Sequence, residues 1–125
     1  MANYGWTSLM KACDKGHEMC ARALLEAGAA IDQVEEDGWI ALMFAAQGGH
    51  DLVSRLMIEA KANVDHSTPE GHTSLMVAAQ NGHEHVARDL IKAGANLNAA
   101  ANNGFTALML AAQNNHELVA RAVIE

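Results

Sequence analysis

The chain has 125 residues, half of them apolar and only 4% aromatic, so Ala, Leu, Met and Val must build a core of thin, closely packed layers rather than a wide sheet. Fifteen acidic side chains against eight Lys and Arg leave a net charge of −7 and a pI near 5.4; a phosphate backbone selects positive surface, so a nucleic-acid partner is disfavoured. No apolar run approaches the roughly 18–20 residues that span a bilayer, and no basic segment precedes an apolar one as in a secretion signal. The length fits one domain, expected to be soluble, unsecreted and intracellular, in the cytoplasm, without membrane contact.

The dominant feature is a period. Gly5, Gly38, Gly71 and Gly104 recur every 33 residues, and His17, His50, His83 and His116 keep the same step. Leu9, Leu42, Leu75 and Leu108 follow in register, as do Met10, Met43, Met76 and Met109, and Ala12, Ala45, Ala78 and Ala111. Fixed self-similarity of this length marks a stacked-repeat architecture. The units run from about 2 to 34, 35 to 67, 68 to 100 and 101 to 125, and the fourth stops within its second helix.

Each unit reads as two short helices and a connecting loop. The first carries Cys13 and Cys20, which are too few for a disulfide framework and lack CxxC spacing; both are expected to be small buried fillers suited to a reducing compartment. In the second unit Lys61 stands where the others carry Gly28 or Gly94, which costs on the order of 1 kcal/mol if the backbone there is left-handed. In the third, Thr73 caps a helix through about Gln80, Asn81-Gly82 breaks the chain, a second helix runs from about His83 to Lys92, and Gly94 ends it. The segments 62–72 and 95–105 supply extended loops with turn chemistry. Helices of about 8–10 residues do not persist alone in water and must stack on their neighbours.

The stretches Gly5-Trp6-Thr7-Ser8-Leu9-Met10-Lys11-Ala12, Gly71-His72-Thr73-Ser74-Leu75-Met76-Val77-Ala78-Ala79 and Gly104-Phe105-Thr106-Ala107-Leu108-Met109-Leu110-Ala111-Ala112 resemble the ankyrin pattern G-x-T-P-L-H-x-A-A. Gly16-His17, Gly49-His50 and Gly82-His83, and the unit ends Gly28-Ala29 and Gly94-Ala95, match it too. The resemblance covers nearly the whole chain and implies an all-α solenoid of helix-turn-helix units with protruding β-turn or hairpin loops. Departures are Ser or Ala for the helix-opening Pro, Met for the following His, Ile40 for Thr and Asn115 for Gly. They soften caps and helix starts without altering the fold.

No catalytic motif survives inspection, so no enzyme is expected. Ser8, Ser54 and Ser74 lack a glycine elbow, and glycines occur singly rather than in a phosphate loop. The His ladder cannot converge on a metal, because stacked units lie roughly 10 Å apart and zinc ligands stand about 2.0–2.1 Å from one centre. Its expected role is to orient the turn between helices. His83-Glu84-His85 diverges on a helix. The ladder Arg22, Arg55, Arg88 and Arg121 is neutralised by Glu18, Asp51, Glu84 and Glu117 four residues earlier. The Met ladder reads as inner-helix core rather than a soft-metal site. No cofactor or metal is therefore expected.

The resemblance implies a concave groove formed by loop tips and first helices, with another protein as partner. The matching positions are Tyr4, Trp6, Asp14 and Lys15; Glu36, Asp37, Trp39, Gln47 and Gly48; Glu70, His72, Gln80 and Asn81; and Asn102, Asn103, Phe105, Gln113 and Asn114. The position after each loop glycine is a ring (Trp6, Trp39, His72, Phe105), and only Phe44 among the aromatic residues lies away from this row and Tyr4. Such rings suit interface anchors, or prop neighbouring loops, and the two roles are compatible. Glu35, Glu36 and Asp37 form an acidic tip continued by Glu70, suited to a basic or mixed patch. Leu118, Val119, Val123 and Ile124 leave the last helix apolar. The alternative expectations are therefore a fragment or structural spacer of a longer array, or self-association through the terminal repeats.

Overall fold

Thr7, Thr73 and Thr106 stand in extended backbone before an apolar run, and each hydroxyl accepts a hydrogen bond from the backbone N–H of Met10, Met76 or Met109. This satisfies one of the donors that a helix start leaves bare. The computed structural model describes residues 5–125 and contains eight short helices among them. The inner helices are α1 (Ser8–Lys15), α3 (Ala41–Gly48), α5 (Ser74–Asn81) and α7 (Ala107–Gln113). The outer helices are α2 (Glu18–Glu26), α4 (Asp51–Glu59), α6 (Glu84–Lys92) and α8 (Glu117–Ile124). Ile40, at the start of α3, offers no side-chain cap and is fully buried instead, so this unit exchanges a hydrogen bond for apolar contact.

The helices form two layers, α1–α3–α5–α7 and α2–α4–α6–α8, each helix packed on its counterpart in the next unit. Between units the chain projects as tips closed by Glu35 N–H to Trp39 O, Thr68 N–H to His72 O and Ala101 N–H to Phe105 O. Isolated antiparallel bridges join Ser67 to Thr73 and Ala100 to Thr106. The expected all-α solenoid with hairpin-like loops is observed.

Leu9, Leu42 and Leu75 are buried throughout. Met10, Met43 and Met76 are also enclosed, whereas Met109 is 50% exposed. The side chain is the same in each case; what differs is whether another inner helix lies over it. Lys61 adopts φ 74, matching Gly28 at φ 90 and Gly94 at φ 93, so the left-handed conformation expected there is present. Lys61→Gly should raise stability by about 0.5–1 kcal/mol, relief of backbone strain outweighing the greater freedom of glycine in the unfolded chain. Urea denaturation would measure it.

All four Arg residues pair with the acid four residues earlier: Arg22–Glu18, Arg88–Glu84 and Arg121–Glu117 at 2.8 Å, and Arg55–Asp51 at 3.3 Å. Arg55 also reaches Asp89, and Arg88 reaches Glu125, each across a unit boundary at 3.2 Å. Burial, and the carboxyl of Asp51 beside it, hold the pKa of Asp89 above its usual value, while Arg55 pulls it down. A carboxylate whose folded pKa is raised costs stability at neutral pH, and the cost fades as pH falls through the carboxylate range. Asp89→Asn should therefore raise the thermal midpoint at pH 7, and its advantage should narrow toward about pH 4, near the carboxylate's unfolded value. Scanning calorimetry of both proteins across that range would show it.

Candidate interaction groove

The groove wall is held by locks between units. His50 Nε2 lies 3.0 Å from Asp14 O, His83 Nε2 3.0 Å from Gln47 O, and His116 Nε2 3.1 Å from Gln80 O. Each imidazole thus reaches back to the end of the preceding inner helix. It lies against that helix's left-handed terminal glycine: a Cβ on Gly16, Gly49 or Gly82 would stand 2.5–2.6 Å from the ring. The His ladder ties one repeat to the one before it, rather than only orienting its own turn. At the fourth such position Asn115 has φ 60 and carries the Cβ that the three glycines omit.

These locks occupy the backbone carbonyls of Asp14, Gln47 and Gln80, while the side chains of Gln47 and Gln80 remain exposed. Several other residues assigned to the groove are committed to the fold. Asn81 Nδ2 donates to Val77 O and Asn114 Nδ2 to Leu110 O, extending the helix ends. Asn102 Nδ2 donates to Pro69 O of the neighbouring loop, and Asn103 Oδ1 accepts from Phe105 N–H. Lys15, Gly48, Glu36, Asp37, Glu70 and Gln113 are exposed, and His72 and Phe105 half-buried. Tyr4 lies outside the described residues.

Glu35 corrects the expected acidic tip. It is 6% exposed, and its Oε1 accepts from Asp37 N–H at 2.7 Å and Trp39 N–H at 2.9 Å. The tip's surface charge is therefore Glu36 and Asp37, with Glu35 as their brace. Phe44 likewise belongs with the rings from which its position in the chain separates it. Its centroid lies 4.3 Å from that of Trp6 and 5.0 Å from that of Trp39, with tilted planes. Phe44 occupies the inner-helix position held by Lys11, Val77 and Leu110 in the other units, and that outsized side chain beneath two loop Trp residues was the available signal.

A cavity of about 300 Å3 opens between Trp6 and Trp39, bounded by Phe44, Glu35, Asp37 and Gln47. A second, of about 120 Å3, lies between Trp39 and His72 over Met76 and Val77. The groove is thus divided by its rings into successive recesses. Among the described residues no cluster of three or more His, Cys, Asp or Glu is placed to hold a metal ion, and no helix is long and apolar enough to cross a membrane.

The cysteines differ from the expectation of two buried fillers. Cys13 is buried, and burial pushes its thiol pKa up to about 12, whereas Cys20 is exposed. Val53, Val86 and Val119 fill the Cys20 position in the later units, each of which follows another helix pair, and all three are buried. A thiol reagent should modify one cysteine rapidly in the folded chain and the second only on unfolding, because a thiol held neutral is a poor nucleophile. Mass spectrometry after timed labelling would count them.

Stacked helix pairs, inter-unit locks and an open groove define a repeat solenoid, a class that presents an extended binding surface. The family model for ankyrin repeats (3 copies) matches residues 1–68 and 42–125, and the chain belongs to the ankyrin repeat family. Ankyrin repeats are generally protein–protein interaction modules, and proteins built from them are typically non-enzymatic. No curated protein matches this chain.

Proposed function

We propose that the chain binds an extended segment of a partner protein along the groove from Trp6 to Phe105. The observation that carries this reading is the pair of recesses between successive rings, Trp6 to Trp39 and Trp39 to His72. Packed helices lie about 8–10 Å apart and a polyproline II segment advances about 3.1 Å per residue with three residues per turn, so such a segment offers one side chain on the same face to each repeat every three residues. Affinity capture from lysate, comparing the chain with a folded Trp6→Ala/Trp39→Ala/Phe105→Ala variant, tests it. A partner lost with the variant supports the groove; identical capture by both leaves the rings as loop props and the chain as a spacer.

Exposed Met109 and Ile124 (50% and 71%) favour a second reading, self-association through the terminal repeats. Asn115 opposes its in-register form, because its Cβ stands where a stacking imidazole rests on glycine in the other units. Sedimentation as a monomer at high concentration would remove this reading.

A further inference from the structure

The recess between Trp6 and Trp39 differs in chemistry from its neighbour. Two indoles and the Phe44 ring wall it, and ring faces carry the negative end of the aromatic quadrupole. Glu35 adds a carboxylate that is 94% buried by difference from its 6% exposure, with Oε1 held by two backbone N–H groups. Among the described residues no Lys, Arg or His lies within ion-pair distance of it. Asp37 places a second carboxylate at the rim. The next recess, over Met76 and Val77, has amides and His72 at its edge and no carboxylate.

An indole in this site already receives a cation. Lys11 Nζ lies 5.5 Å from the centroid of Trp6. Lys11 borders a separate cavity beside α1 and α2 and does not line the recess between the two Trp residues. With a net charge of −7, the chain as a whole attracts basic segments.

We propose that the recess formed by Trp6, Trp39, Phe44, Glu35 and Asp37 receives a Lys or Arg side chain of the partner segment. The aliphatic stem lies against the rings and the charged head meets the two carboxylates. A cation desolvated over an aromatic face gains more than one in open solvent, and Glu35 supplies the counter-charge inside the recess. This deepens the groove reading and rests on it for the remainder of the partner, but the recess is testable alone.

The test is a titration of the isotope-labelled chain with N-acetyl-lysine methylamide, following the two Trp indole N–H signals by NMR. N-acetyl-norleucine methylamide, which keeps the stem and lacks the charge, serves as the comparison. Saturable shifts of both signals are expected, with the lysine derivative binding at least about fivefold more tightly than the norleucine one. Asp37→Asn should weaken the lysine derivative by about threefold and leave the norleucine one unchanged. Equal affinity for the two, no response to either, or a response confined to Trp6 would overturn the proposal; the last would mean that the added cation merely replaces Lys11. Because these probes lack a partner's backbone and neighbouring side chains, the result is independent of the lysate experiment. A partner captured through the groove with no preference for the lysine derivative leaves the groove reading standing and removes the cation site.

Discussion

Gly49→Ala is expected to destabilise the array by about 1.5–3.5 kcal/mol, far more than its one added methyl suggests. A left-handed conformation costs an L-residue about 1–2 kcal/mol, and Gly49 sits at φ 68. The new Cβ would also fall 2.5 Å from His83 Nδ1, so the imidazole must move and release Gln47 O; a hydrogen bond of this kind contributes about 0.5–1.5 kcal/mol net. His83→Ala alone should cost about 1 kcal/mol. Combining the two changes removes the overlap and leaves the backbone strain with the bond to Gln47 O lost once rather than twice, so the double variant should be more stable than the sum of the single effects predicts. Urea unfolding of the four proteins completes the cycle. Simple additivity would show that ring and glycine are not in contact.

Met43→Ala should cost about 2–4 kcal/mol, as truncation of a fully buried long side chain does when its surroundings relax incompletely. Met43 is 0% exposed between α1 and α5, which both pack on α3. Met109→Ala should cost less than about 1 kcal/mol, because half of that side chain already meets water. The pair isolates burial from residue type, since both occupy the same place in the repeat and start from the same side chain. Equal costs would mean that Met109 is covered in solution, and concentration-dependent unfolding would then identify a second copy as the cover. In a linear array the central loss weakens the coupling to both neighbours, so Met43→Ala should also broaden the transition.

The fold was legible because stacking requires every unit to solve the same packing problem, so Gly, Leu, Met, Ala and His return in step. Thr73 announced its cap through local chemistry, and Lys61 its left-handed backbone through its register with Gly28 and Gly94. Contacts between units were less accessible. Nothing near His83 in the chain says that its ring meets Gln47, 36 residues earlier. Glu35 resembled its acidic neighbours until the loop turned it inward to bind Asp37 and Trp39. Phe44 joined the ring site only because successive loops fold over the same inner helix. Cys20 erred in the opposite direction: its repeat equivalents Val53, Val86 and Val119 are buried and it is exposed. Register proposed the groove positions, but it could not distinguish an outward amide from one bonded to its own helix, as Asn81 is, or to the neighbouring loop, as Asn102 is.

The glycine-and-imidazole lock has a direction. The receiving carbonyl and glycine always belong to the earlier repeat and the imidazole to the later one. On a ribosome, where the chain emerges from its N-terminus, the end of each inner helix stays unlatched until about one further repeat has been made. Domains generally fold as units during synthesis, at about 5–20 residues per second, so each latch here closes several seconds after the glycine it covers has appeared. The array thus matures with a lag of one repeat, and a pause in translation just before His50 or His83 would hold the preceding groove segment open.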